Sequence, residues 1–151
     1  MPEPSLVTLE PADIAVVREV VAMDALPAFY DRAYHEVMAA IQQQGATVGG
    51  PPVGVYFGMP TDTVDVAAGF PTPTPVQPVD AVSALQLPGG RAVQVLHIGS
   101  YDSMQQTYGG LMQWVQAQGL ALGPLMWETY LTEPDDKDPG SMQTLITWPL
   151  A

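Results

Sequence analysis

The segment Trp127-Glu128-Thr129-Tyr130 contains the acidic residue of this sequence that is most suited to binding or catalysis. Its pattern is typical of a strand, in which Glu128 and Tyr130 lie on one face and Trp127 and Leu131 on the other. No lysine or arginine lies within five residues of Glu128. A carboxylate among apolar and aromatic groups is costly unless it is paired or protonated. Glu128 is therefore expected to exchange a proton with a bound molecule or to neutralise a cationic ligand.

Aromatic side chains that could line a site around Glu128 are spread along the chain. Each ring facing a cation adds attraction of ~0.5–2 kcal/mol. The alternative interpretation is a solvated glutamate at a strand edge, with aromatic residues that only fill the core. The candidate ligand-binding residues, besides Glu128, are Tyr56, Tyr101, Tyr108 and Tyr130, with Trp114 and Trp148 as weaker candidates.

Other chemistries find little support in the residue types. The chain has no cysteine, and His35 and His97 are not in a metal-ligand spacing, so neither a metal nor a cofactor is expected. There is no motif for phosphate, dinucleotide or nucleophilic-serine chemistry. His35 is expected on an exposed helix edge. His97, at a strand end, is either a hydrogen-bonded structural residue or a ligand contact.

The charge balance excludes further classes of partner. Sixteen acidic residues face four basic ones, which gives a net charge of −12. Nucleic-acid binding depends on lysine and arginine, so no direct nucleic-acid partner is expected. No apolar run reaches the ~18 residues of a membrane span, and the N-terminus lacks the pattern of a signal peptide. A cytoplasmic protein without a membrane partner is predicted. The charge either attracts cations or only keeps the protein soluble.

The chain contains an internal repeat. The pair Tyr34 and Gly45 recurs as Tyr108 and Gly119, at an offset of 74 residues. Around these pairs, an apolar stripe recurs at the same offset, with the spacing of the buried face of an amphipathic helix. It consists of Tyr30, Ala33, Tyr34, Val37, Met38 and Ile41 in the first copy and of Met104, Thr107, Tyr108, Leu111, Met112 and Val115 in the second. The glycines suit the ends of these helices. The predicted helices are residues 25–44 and 102–118.

Short strand-like runs flank both helices, two before each and two after. Those ahead of the helices align at an offset of 78 residues. The predicted fold class is α+β: a duplicated β-β-α-β-β unit with antiparallel sheets, two helices and a central pocket between the repeats. Residues 1–151 form one domain, with pseudo-repeats 1–74 and 79–151 and a proline-rich joint at 71–78.

The repeat also places residues of the two halves opposite one another. The offset of 74 maps Tyr130 onto Tyr56 and Glu128 onto Gly54. If a helix covers the face with Trp127, the face with Glu128 points into the central groove. Gly54 then leaves room opposite the carboxylate.

The ordered set of motifs resembles the GyrI-like small-molecule-binding domain, which also serves as the effector-binding domain of multidrug-responsive regulators. The match spans essentially the whole chain, and the second half is the stronger. The matching segments include residues 50–52, 64–71, 87–93, His97-Ile98-Gly99-Ser100-Tyr101-Asp102, 108–120, Glu128-Thr129-Tyr130-Leu131-Thr132-Glu133-Pro134 and 144–149.

The resemblance implies a duplicated strand–helix–strand–strand fold with a central pocket. In the family, the glutamate at the position of Glu128 faces bound lipophilic cations, and tyrosines stack beside it. Ala68 is a departure, because many relatives carry an acidic residue there. The sequence also lacks an attached helix-turn-helix domain, which favours a free-standing binding domain.

Three functions follow as expectations. The first is a non-enzymatic binder of hydrophobic, often cationic small molecules, acting as a sensor, a sequestering protein or a resistance factor. The second is a hydrolase of electrophilic, cyclopropane-containing molecules, in which Glu128 is the general base that activates water and Tyr56 or Tyr130 positions that water or donates a proton. The third is a protein-interaction role, such as modulation of DNA gyrase. A homodimer through an exposed sheet edge is compatible with each of them.

Overall fold

The two halves of the chain have the predicted order of strands and helices. The computed structural model describes residues 3–58, 61–99, 103–132 and 142–151. Within these residues, neither helix is long and apolar enough to cross a membrane. The elements are β1 (Ser5–Leu9), β2 (Ala12–Ala22), α1 (Leu26–Gln43), β3 (Val53–Phe57), β4 (Thr63–Pro71), β5 (Val82–Leu87), β6 (Gly90–Ile98), α2 (Met104–Ala117), β7 (Leu125–Tyr130) and β8 (Gln143–Pro149).

Both helices begin and end close to the predicted residues. Pro27 occupies the first turn of α1, where its missing N–H costs nothing. Gly45 and Gly119 follow the two helices, and both have a φ of 69°. Because only glycine adopts this left-handed conformation without strain, these residues end the helices as the sequence indicates.

The eight strands form one antiparallel sheet, in the order β1-β6-β8-β7-β3-β4-β2-β5. The sequence suggested two sheets side by side, one in each half. Instead, β3 pairs with β7 and joins the halves into one sheet. Each half also gives its first strand to the other, because β1 pairs with β6 and β5 pairs with β2. The halves thus share their backbone hydrogen bonds.

The sheet curls into a half-barrel. β1 forms one edge, whereas β2 lies next to the strand at the other edge. Only Glu10 and Pro11 separate β1 from β2, so the two ends of the sheet must come close. Leu9 of β1 and Leu87 of β5 accordingly meet in one apolar cluster on the helix-free face. That cluster fills the inside of the curl.

Both helices pack on the other face of the sheet. The core beneath α1 includes Val37 and Val66, and the core beneath α2 includes Leu111, Val115 and Met126. Since alternate residues of a strand share a face, the residues two and four positions after Met126 also lie on the helix-bearing face. The candidate glutamate is therefore on the side of the sheet that carries the helices.

The condition under which Glu128 was expected to face the central groove, a helix over Trp127 and Leu131, is not met. Trp127 packs on the helix-free face with Val16 and Val55, and Leu131 is 42% exposed. The alternation of side chains separates two faces correctly, but it does not say which face a helix covers.

The proline-rich joint contributes to the core under α1. Val76 is buried in that core. The backbone of Gln77 donates to Oε1 of Gln44 at 2.9 Å, and its carbonyl accepts from Nε2 of Gln44 at 2.8 Å. This part of the joint is attached to the end of α1.

Candidate ligand-binding site

Glu128 lies at the centre of the sheet, where the two halves meet. In the pairing of β3 with β7, Gly54 is directly opposite Glu128. These two residues are also equivalent in the internal repeat, so they lie beside the pseudo-twofold axis. The Glu128 side chain is 8% exposed.

Two phenols hold the carboxylate from different elements. The Tyr108 hydroxyl, from α2, donates to Oε2 of Glu128. The Tyr130 hydroxyl, from the same strand, donates to Oε1 at 2.8 Å. Both oxygens therefore have a neutral donor in place of the water that burial removes.

Two further tyrosines extend this group across the pseudo-twofold axis. The hydroxyls of Tyr30, from α1, and Tyr56, from β3, are hydrogen-bonded to each other. The Tyr130 hydroxyl lies 3.4 Å from that of Tyr30, and their rings meet edge to face with centroids 6.1 Å apart. Together, Tyr30, Tyr56, Tyr108, Tyr130 and Glu128 are called the tyrosine cluster below.

Burial sets the protonation of the cluster. It raises the pKa of Glu128, and the hydrogen bonds from Tyr108 and Tyr130 and the charge of His97 oppose that rise. Burial also raises the pKa of each tyrosine in the cluster, and the nearby carboxylate adds to that rise. The phenols therefore remain protonated at neutral pH and serve as hydrogen-bond donors.

No basic side chain in the described part of the chain forms an ion pair with Glu128. Arg18 binds Asp65 at 2.8 Å, and Arg32 binds Glu19 at 2.6 Å. The buried carboxylate thus has hydrogen-bond donors but no lysine or arginine partner among these residues, while the charge of His97 also acts on it. Such a group can hold a proton or face a cation.

The room that Gly54 leaves is occupied by tyrosine hydroxyls. A Cβ atom at Gly54 would lie 2.6 Å from Oη of Tyr30 and 3.0 Å from Oη of Tyr130. The sequence indicated free space opposite Glu128, but the phenols of α1 and β7 fill it. A bulky ligand that reaches Glu128 must displace at least one of these rings.

The structure brings Tyr56, Tyr108 and Tyr130 to Glu128, as the sequence predicts. Trp114 and Trp148 instead pack at the edge of the α2 core, where the Trp148 indole donates to the Gly123 carbonyl at 2.8 Å. Tyr101, the remaining candidate, lies outside the described residues.

Tyr30 and Tyr34 are the members of the site that the sequence analysis missed. Both belong to the apolar stripe of α1, where they were assigned to the core, and their rings stack with centroids 5.7 Å apart. The Tyr34 hydroxyl donates to the Val53 carbonyl at 3.4 Å, next to Gly54. Since Tyr34 is the repeat equivalent of Tyr108, the offset of 74 residues could have identified it.

The histidines have different surroundings. His35 is exposed on α1. His97 is 3% exposed and is hydrogen-bonded to Thr107 and Ser103. Across the described residues, no three metal-binding side chains come together.

The fold is similar to several solved structures. The C-terminal domain of EcmrR is 19% identical, with a TM-score of 0.85 over 100% of this chain and 98% of that chain. In an EcmrR–DNA complex, the similarity covers 99% of this chain but 57% of the longer EcmrR chain, with 20% identity and a TM-score of 0.81. At these identities the likeness concerns the fold alone.

Two further neighbours have known ligands or activities. SAV2435 bound to tetraphenylphosphonium is 15% identical, with a TM-score of 0.70 over 99% of this chain and 94% of that chain. A hydrolase from Listeria innocua is 16% identical, with a TM-score of 0.65 over 99% and 92%.

A sequence search finds no match among curated proteins. A family model, the GyrI-like small molecule binding domain, matches residues 2–151. This match covers almost the full sequence and agrees with the α+β fold and its structural neighbours. The chain therefore belongs to the GyrI-like small-molecule-binding domain family.

Proposed function

We propose that this domain binds hydrophobic, cationic small molecules at the tyrosine cluster, with Glu128 as the counter-charge. One observation carries the proposal: Glu128 is buried, both of its oxygens accept from phenols, and no described basic residue pairs with it. A lipophilic cation supplies the missing charge and tolerates the loss of water.

The surroundings of Glu128 favour an aromatic or alkyl cation over an inorganic one. A small ion would need several oxygen ligands, whereas the cluster offers one carboxylate, and both of its oxygens already accept from phenols. Each ring adds ~0.5–2 kcal/mol of attraction to an organic cation. The net charge of −12 draws cations toward the domain from a distance.

We infer a role in the cytoplasm as a sensor or a sequestering protein for such compounds. The four basic residues of the sequence are too few to form a nucleic-acid surface. This domain is therefore not expected to contact DNA itself.

A matched pair of ions tests the proposal. Tetraphenylphosphonium and tetraphenylborate have nearly the same shape and opposite charges, and the bound form of SAV2435 contains the former. Trp114 and Trp148 report binding by fluorescence. The domain is expected to bind the cation about tenfold or more tightly than the anion, and Glu128→Gln to abolish that preference.

Glu10→Gln is the matched control, because Glu10 is exposed and its substitution changes the net charge by the same amount as Glu128→Gln. It should leave the preference nearly unchanged. An equal loss of affinity for both ions in Glu128→Gln would contradict the role of Glu128 as counter-charge.

A hydrolase is the second candidate, because the cluster places phenol donors beside a buried carboxyl and one structural neighbour is a hydrolase. Glu128 would take a proton from water as the oxygen attacks a strained cyclopropane carbon. The carbon–carbon bond then breaks, and Tyr56 or Tyr130 protonates the departing carbon. Mass spectrometry separates the two functions: a time-dependent gain of one water that Glu128→Gln abolishes supports catalysis, and unchanged compound supports binding.

A further inference from the structure

His97 attaches the first turn of α2 to the sheet. Its Nδ1 lies 2.6 Å from Oγ1 of Thr107, and its Nε2 lies 3.2 Å from Oγ of Ser103. Both hydroxyls belong to the beginning of α2, and the imidazole projects from the end of β6. Because His97 is buried, these bonds form away from competing water.

The local helix signals in this turn are weak. Ser103 is at the N-cap position, but its side chain makes no capping hydrogen bond, and the first turn contains no acid. Gly109 and Gly110 follow in the middle of the helix. Each costs roughly 1 kcal/mol of helix stability relative to alanine. The segment that carries Tyr108 thus lies between an end that the Ser103 side chain does not cap and two weak positions.

The other half of the chain lacks both the histidine and the carboxylate. At the offset of 78, His97 corresponds to Glu19. At the offset of 74, Thr107 corresponds to Ala33 and Glu128 to Gly54. Glu19 instead pairs with Arg32 at the surface. The attachment through a buried histidine therefore occurs only in the half that carries the acid.

Thr107 directly precedes Tyr108, whose hydroxyl donates to Glu128. We propose that His97 is a positioning residue: it pins the first turn of α2 through Thr107 and Ser103 and so holds the Tyr108 hydroxyl on Glu128. The consequence for ligand binding rests on the proposed function of Glu128.

Five titratable groups surround Glu128, and their effects on its pKa give the expected direction of a change. Glu128 faces Tyr108 from α2, Tyr130 from its own strand, Tyr30 from α1, Tyr56 from β3 and His97 from β6. The bond from Tyr108 lowers the pKa of Glu128. Freeing Tyr108 therefore raises this pKa and leaves less carboxylate for a cation at a given pH.

Thr107→Val tests the proposal, because it removes one hydroxyl from His97 and keeps the shape of the side chain. In the variant, the pKa of Glu128, measured by carbon NMR of its carboxyl group, should rise by about half a unit. Tetraphenylphosphonium affinity near that pKa should fall by roughly threefold, and recover at higher pH. The NMR measurement needs no ligand, so failure of the proposed function is distinguishable from failure of this inference.

Two further variants separate positioning from a loss of stability. Val115→Ala removes a core contact at the far end of α2 and should lower stability without moving the pKa of Glu128. In a Tyr108→Phe background, Thr107→Val should move that pKa no further. The inference is overturned if Thr107→Val leaves the pKa unchanged, or if its effect persists in full without the Tyr108 hydroxyl.

Discussion

Glu128 is held in the interior by phenols and not by a base. The hydroxyls of Tyr108 and Tyr130 approach different oxygens of the carboxylate, from a helix and from a strand. Hydrogen bonds to a charged group contribute about 1.5–3 kcal/mol each, which offsets part of the cost of burial. No lysine or arginine among the described residues pairs with this carboxylate, and the proposed role of Glu128 as a counter-charge for cations rests on that property.

Gly54 is required by the residues that crowd over it. An added methyl group would lie 2.6 Å from Oη of Tyr30, which is closer than a Cβ atom comes to an atom that is not bonded to it. Gly54→Ala should therefore displace the Tyr30 ring, break its bond to Tyr56 and destabilise the fold by about 1–3 kcal/mol. Urea unfolding measures the change, and a stability equal to that of the wild type would contradict this packing.

The sequence predicted the acid and its strand partners because strand alternation and the repeat offset are local rules. They placed Glu128 beside Tyr130 and opposite Gly54, where the structure has them. They could not show that Trp127 avoids the helices, because the covered face depends on the whole sheet. The same rules assigned Tyr30 to the core. A helical stripe shows which face of α1 is buried, but not that the Tyr30 hydroxyl approaches Tyr130 in the other half of the chain.

At the scale of elements, α2 is the less robust helix. It is 14 residues long, against 18 for α1, and it carries Gly109 and Gly110 on its exposed side. Its stripe also includes the polar Thr107 among the buried residues. The contact of that threonine with His97 thus adds to the apolar packing that holds α2.

Gly109→Ala should stabilise the protein by ~0.5–1 kcal/mol, because alanine favours the helix and no neighbour lies within 4 Å of the new methyl group. Chemical denaturation measures the gain. The same change at Gly119, which has a φ of 69°, should destabilise instead. A loss of stability at Gly109 would contradict the helical geometry assigned to this segment.

The helices were predictable from their apolar stripes and terminal glycines, whereas the strand pairing was not. The exchange of β1 and β5 between the halves joins strands that are far apart in sequence. Local alternation identifies a strand but does not select its neighbour. The single sheet therefore emerged only from the structure.

For the whole molecule, the duplication yields one site and not two. The pseudo-twofold axis passes between β3 and β7. The two halves nevertheless differ at equivalent positions, because Gly54 corresponds to Glu128 and Glu19 corresponds to His97. One carboxylate thus lies among tyrosines that both halves supply. The net charge of −12 favours the approach of cations over that of anions to the domain as a whole.

The most direct measurement is tetraphenylphosphonium affinity as a function of pH, by calorimetry, for the wild type and Glu128→Gln. This ion does not titrate, so a pH dependence must come from the protein. Because burial raises the pKa of Glu128, wild-type affinity should fall as the pH decreases through that value, by up to about tenfold per unit, and Glu128→Gln should bind weakly at every pH. Equal affinity and equal pH dependence in the two proteins would contradict the account.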